Sequence, residues 1–203
     1  MTDDISITWT GERPELVING VRWICRPQEE EPTPAAWHFP VGEGEYPPER
    51  WYCATWHDLT GALNNGYRHT GIDLNLDVSP WGDVERSLDL SVYAIADGVV
   101  TYQTPNWSGV PMVVIRHEHD GAPLWVRYAH VLCYLQSGWN ATSGEDLGGF
   151  ANWSTGDHLH LDMALDPFTR EWLDPAIRWV DPVPVLTDHL PAEEVAKMLR
   201  KGQ

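Results

Sequence analysis

The sequence predicts a mainly β protein: an antiparallel β-sheet domain with long loops, a short N-terminal β extension and a C-terminal helix. Three observations carry this. Several short stretches alternate apolar with polar side chains, the period of a half-buried strand. Turn-forming pairs such as Asn19-Gly20, Asp97-Gly98 and Asp120-Gly121 punctuate them. Helical periodicity is nearly absent until the C-terminal end.

Residues 1–36 read as an extension. Ile5–Trp9 and Leu16–Ile18 are candidate strands with turns at Gly11 and Asn19-Gly20, and the acidic run Gln28–Pro34 is a linker or exposed loop. Trp37–Trp56 is rich in Pro, Gly and aromatics without a period and reads as irregular. In the next stretch Ile72, Leu74 and Leu76 alternate with Asp73, Asn75 and Asp77, which predicts a half-buried strand with Asp73 on its polar face. Asp77–Asp89 is polar, contains Ser79-Pro80-Trp81-Gly82 and reads as a surface loop. Strands follow at Ser91–Ala96, Val99–Gln103, Pro111–His117 and Leu124–Val131, and the alternation in Gly156–Asp162 predicts another. Pro191–Arg200 is the helix: proline at its start, Glu193 and Glu194 in its first turn, Lys197 and Arg200 in its last. The expected organisation is therefore 1–36 extension, 37–185 main domain and 186–203 helix and tail.

Composition narrows the function. With 203 residues, 42% of them apolar, the chain is long enough to bury a real core. Thirteen Lys and Arg against 30 Asp and Glu leave a net charge of −17, which argues against nucleic acid and against an anionic membrane surface. No apolar run is long enough to span a membrane as a helix. The first residues, MTDDISITWTGERPEL, show neither a basic nor an apolar signal region, so no signal peptide is visible. Cys25, Cys53 and Cys133 lie far apart and form no CxxC, so they read as reduced or buried thiols. The 12 tryptophans are scattered, as in core and rim packing. A monomer is the expectation.

The chain is organised around Gly156-Asp157-His158-Leu159-His160-Leu161-Asp162. In a strand His158 and His160 share a face while Leu159 and Leu161 point to the core. Two such imidazoles can share a metal ion, or divide the work between one ligand and one acid/base group; a half-buried strand whose polar face happens to carry histidine is the plain alternative. His69 and Asp73 form an HxxxD pair ~13 Å apart in a straight strand, so they converge only if the chain bends, and Gly71 is the residue best suited to allow that. His117 and His119 form a second HxH, but His119 abuts the Asp120-Gly121 turn, where a solvated face is expected. His38, His57 and His189 have no partner at ligand spacing and read as surface or core histidines.

These residues carry a family resemblance. In order along the chain stand Phe39-Pro40-Val41, His69-Thr70-Gly71-Ile72-Asp73-Leu74, Val92–Val100, Val113–His117, Tyr128-Ala129-His130-Val131, Ser154–His160 and Asp174-Pro175. The set resembles the lysostaphin-type (LytM-like) zinc metallopeptidases that cut peptidoglycan cross-links, over roughly residues 37–180. The resemblance implies that His69, Asp73 and His160 bind Zn²⁺ and that His130 and His158 are the catalytic histidines, one as general base and one as donor to the oxyanion. Two nitrogens and one carboxylate suit a catalytic zinc with a fourth position for water, whose pKa the metal lowers. His117 matches the family in position, with no role to carry over.

The activity this implies is hydrolysis of a peptide bond in the stem peptide or cross-bridge of bacterial peptidoglycan, with a peptidoglycan peptide as partner. The missing signal fits a phage lysin or a virion-associated wall hydrolase that reaches the wall by another route. Departures concern the groove: a long 77–90 loop, a compressed Ser143–Asn152 stretch, and Asp162 where glutamate is common. Two other classes stand beside this one, a non-catalytic member of the same fold and a carbohydrate-binding β-module. The first usually loses ligand positions and the second needs none of them.

Overall fold

A computed structural model of the 203-residue chain describes residues 5–10, 13–18, 21–24, 36–42, 47–76, 90–151 and 158–200. The chain divides into two compact units, Met1–Pro34 and Ala35–Gln203. The first is an antiparallel meander of β1 (Ile5–Thr10), β2 (Arg13–Ile18) and β3 (Val21–Ile24). The sequence reading found two of these strands and missed β3, which pairs Ile18 with Val21 across two residues. The expected turns at Gly11 and Asn19-Gly20 and the 28–34 linker lie outside the described residues, as does the 77–89 loop.

The second unit is built on one antiparallel sheet. It contains β4 (Trp51–Thr55), β5 (Gly71–Leu76), β7 (Gly98–Trp107), β8 (Val110–His119), β9 (Ala122–Ala129), β11 (Asn140–Ala141) and β13 (Leu159–Ala164), in the order β11-β7-β8-β9-β13-β5-β4. Strand β14 (Trp179–Val180) adds to β13. A smaller sheet joins β10 (Val131–Cys133), β12 (Asp146–Phe150) and β6 (Ser91–Tyr93). Two hairpins close on two-residue loops, Ser108-Gly109 and Asp120-Gly121, with φ positive at both residues in each (51° and 98°; 51° and 73°). That is the primed turn whose twist matches antiparallel strands.

Three segments differ from the sequence reading. Residues 37–56, expected to be irregular, contain β4, whose Trp51 and Cys53 are fully buried on the sheet edge. Asp146–Phe150, expected to be groove loop, is a strand of the small sheet. Helix α1 (Pro182–His189) precedes the expected helix α2 (Ala192–Arg200). Two prolines and two valines hid α1, yet both prolines sit in its first turn, where no N–H is needed. Asp181 caps it, its side chain accepting from Val183 N at 3.0 Å.

The alternating strands are buried on both faces, not one. Ile72, Leu74, Leu159, Leu161, Val126 and Tyr128 point into the main core with Leu186 and Val195 of the helices. On the opposite face Met112, Val114, Ala129, Ala164 and Phe168 form a second core, lidded by Trp107, Trp125 and Trp179. Gly71 is required by this packing and not by a bend. A Cβ there would lie 2.1 Å from Leu161 O and 2.6 Å from Asp162 Cβ; the chain instead bends one residue earlier, at Thr70. Gly71→Ala is expected to cost about 3 kcal/mol or more by forcing β5 off β13, read as a lowered urea midpoint with unchanged slope.

Buried His117 belongs to the core. Its Nδ1 donates to Asp97 O at 3.0 Å, and its Nε2 accepts from Tyr128 Oη at 3.0 Å; that oxygen itself accepts from Ile95 N at 3.0 Å. Every polar atom of the neutral ring is used, and burial pushes its pKa down to about 4. Between that value and the ordinary 6.5 the unfolded chain binds a proton that the folded chain does not, so stability rises with pH across this window. Acidification from pH 6.5 to 4 is expected to remove on the order of 3 kcal/mol through this residue. A His117→Gln variant should show a pH dependence of its urea midpoint shallower by about one proton.

Candidate active site

The three separated motifs meet because β13 lies between β5 and β9. In this register His160 stands opposite Asp73 on one side and Ala129 on the other. Directly opposed side chains on one face are about 5 Å apart at Cβ, so pairing brings His160, Asp73 and the end of β9 next to His130 to one spot. Their face is the second one, opposite the main core.

His69 precedes β5 and is placed by a turn built on Asp58. The two residues form a bridge, Asp58 N to His69 O at 2.9 Å and His69 N to Asp58 O at 2.8 Å. Asp58 Oδ1 accepts from the backbone N–H groups of Thr60 and Gly61 at 2.9 and 2.8 Å, the Asx-type turn that aspartate favours. Behind the site, His57 Nδ1 donates to Thr70 O at 2.7 Å.

His69 Nε2, His160 Nδ1 and Asp73 Oδ1 converge, at 3.0 Å between the nitrogens and 3.2 and 2.9 Å to the carboxylate oxygen. The other ring nitrogens fix what these atoms can be. His69 Nδ1 donates to Trp56 O at 3.2 Å, and His160 Nε2 donates to Asp162 Oδ2 at 2.8 Å. In the neutral rings both inward nitrogens therefore carry lone pairs. Three electron-rich atoms so close repel one another unless a cation or a proton lies among them. The donor set, with each imidazole held by an outer acceptor, fits zinc, whose ligands at ~2 Å on a tetrahedron are ~3.3 Å apart. Burial works to raise the Asp73 carboxyl, but the close His160, His69 and His158 rings hold it well below its usual range.

Beneath His160 lies a buried charge pair. Asp162 Oδ2 accepts from His160, from Thr70 Oγ1 at 3.0 Å and from Arg127 Nε at 3.1 Å, with Arg127 Nη2 on the same oxygen. Arg127 and Asp162 are both fully buried. Arg127 Nη1 donates to Glu171 O at 2.9 Å, and the guanidinium lies 4.1 Å from the Trp107 ring and 5.1 Å from Phe168. Burial opposes ionisation of Asp162, yet Arg127 and His160 lower its pKa. Burial likewise opposes charge on His160, where Asp162 and Asp73 prevail and raise the pKa.

The remaining two histidines complete the cluster. His158 Nε2 lies 3.5 Å from Asp73 Oδ1, and the His130 and His158 rings are 4.3 Å apart. His130 is the single residue between β9 and β10, where the chain leaves the large sheet for the small one. Its φ of 67° is left-handed, a strain of order 1–3 kcal/mol, held by His130 N to Pro111 O at 2.9 Å and Ala151 N to His130 O at 2.8 Å. Burial, then the neighbouring His158 and His160, push its pKa down to about 3. All five sequence-predicted site residues thus line one cleft of about 500 Å³, with Tyr67, Trp107, Ser108, Val110, Arg170 and Trp172.

Spacing along the chain did not reveal these last six. Trp107 and Trp172 looked like scattered packing residues, but their rings stand 5.4 Å apart over the site. The second HxH separates as expected from the site but not in the expected way. His119 is half-buried, its Nδ1 2.8 Å from His189 Nε2, and Trp37 stacks on His189 at 4.2 Å. His189, expected to lack a partner, is brought to His119 by α1, and with Asp120 the pair forms the other His/Asp group close enough to hold an ion among the described residues.

No family model and no curated protein matches the chain. Solved structures do. Lysostaphin in solution superposes with a TM-score of 0.52 at 20% identity, over 70% of this chain and 52% of its own. A LytM of Ruminococcus gnavus, named as a glycyl-glycine endopeptidase, gives 0.51 at 19% identity over 81% and 62%. The chain spans about half the length of the first and three-fifths of the second. It has the lysostaphin-type peptidase fold.

Replacing His69, Asp73 or His160 by alanine is expected to abolish the binding of one zinc per chain at this cluster, measured by metal analysis after dialysis against a weak chelator. His117→Ala and His119→Ala should leave that zinc bound. Asp162→Asn should weaken zinc about 10- to 100-fold and lower the urea midpoint, because Arg127 then loses its buried counter-charge.

Proposed function

We propose that the chain is a zinc-dependent endopeptidase that hydrolyses a peptide bond in the stem peptide or cross-bridge of bacterial peptidoglycan. The observation that carries this is the convergence of His69, Asp73 and His160 with their protons directed outward, in a cleft that also holds His130 and His158. His69 Nε2, Asp73 Oδ1 and His160 Nδ1 would hold the metal. When bound, zinc supplies an acidified water and polarises the scissile carbonyl. Asp162 and Arg127 keep His160 in the tautomer that presents Nδ1. His158, the more exposed of the pair and beside Asp73, takes the proton and passes it to the leaving amine. The buried His130 ring, fixed by its strained backbone, offers an N–H to the developing oxyanion. Trp107 and Trp172 wall the cleft.

The similarity to lysostaphin and to a glycyl-glycine endopeptidase supports the substrate class, and the complete ligand set favours catalysis over a non-catalytic scaffold. His130→Ala and His158→Ala are each expected to keep zinc and to lose about 10²- to 10⁴-fold in cleavage rate. The deciding experiment digests purified walls of several cross-link types and identifies new amino termini by mass spectrometry. New amines on one wall type identify the bond. No release from any wall by the zinc-loaded chain would sink the endopeptidase reading.

A further inference from the structure

Among the cleft groups that the proposed chemistry leaves unused, the one that carries a full charge is the exposed guanidinium of Arg170. It is fixed in place. Arg170 Nη2 donates to Asn106 O at 2.9 Å, and Trp107 Nε1 donates to Arg170 O at 3.0 Å, so the side chain and the backbone are clamped to the same hairpin. An arginine has five N–H donors, and this clamp uses one of them.

What Arg170 lacks is an acid. In a chain with 30 acidic residues against 13 basic ones, no carboxylate lies within ion-pair distance of it among the described residues. Its neighbours are committed elsewhere. Glu171 turns back to Thr169, accepting from its N at 2.6 Å and its Oγ1 at 3.3 Å. Asp166 takes the fork of Arg178, at 2.9 Å to Nε and 2.7 Å to Nη2. Arg127, beneath the cleft, is buried on Asp162. Arg170 is thus a preorganised, unneutralised fork facing the cleft of a strongly acidic protein, whose overall field repels anionic ligands. A planar fork of this kind matches a carboxylate.

We propose that Arg170 forms a carboxylate subsite, selecting substrate peptides that carry an ionised carboxylate close to the scissile bond. This rests on the endopeptidase reading and deepens it: the favoured substrate is an acidic stem peptide, in preference to a neutral glycine-type bridge.

The test uses two synthetic stem peptides, identical except that one carries a free side carboxylate and the other the carboxamide. Their binding to the zinc-loaded full chain is measured by calorimetry, and cleavage of the same peptides is followed separately by mass spectrometry. The expected result is about fivefold tighter binding of the carboxylate form, a margin suited to an exposed charged pair. Arg170→Ala should level the two affinities. Arg170→Lys should keep part of the preference, because the charge remains and the fork is lost. Equal affinities in the unaltered protein, a preference that survives in Arg170→Ala, or no binding of either peptide overturns the proposal. A preference lost in Arg170→Ala without cleavage of either peptide supports the subsite and counts against the endopeptidase reading alone.

Discussion

Everything at the site depends on the register of β13. His160 sits opposite Asp73 and beside Ala129, and the strand's period of two puts Leu159 and Leu161 into the main core. A slip of one residue would turn His160 and Asp162 into that core and both leucines toward the cleft. The hydrophobic pattern therefore enforces the geometry of the His69, Asp73 and His160 cluster. Gly71 is where the constraint is tightest, since no side chain fits between β5 and β13 at that point.

The second constraint is electrostatic. A carboxylate as deep as Asp162 is untenable unless neutralised, and removing one partner of such a pair typically costs roughly 3–5 kcal/mol. Arg127 supplies the charge, and Trp107 and Phe168 cover it. This stack links wall and floor of the site. The Trp107 ring that walls the cleft also covers the arginine that neutralises the aspartate that orients His160. A change at any of these four residues is felt where His69, Asp73 and His160 converge, although only His160 belongs to that cluster.

The two HxH motifs show how far local pattern carries. By spacing both put two histidines on one face of a strand, although His158 stands just before β13. His117 lies at the main core between Asp97 and Tyr128, whereas His160 lies on the opposite face among Asp73, His69 and Asp162. Spacing alone could not separate them; the neighbouring strands do. The His119 and His189 contact illustrates the same point, since α1 was itself hidden by prolines that are harmless in a first turn.

The family resemblance picked out the five residues that line the cleft; what depends on period and short spacing the sequence determined by itself: a β fold, the strands around Ile72 to Leu76 and Leu159 to Leu161, the Asp120-Gly121 hairpin turn and the terminal helix. These are local, because side-chain direction in a strand follows from backbone geometry. Only the tertiary structure decided which atoms of those residues face one another, that the polar face is buried under a second core, that β4 and α1 exist, and that Arg127, Arg170, Trp107 and Trp172 belong to the site. Those residues come from segments far apart in the chain. Their meeting depends on the pairing order of the sheet and on the burial of charge, quantities that no short window of sequence contains.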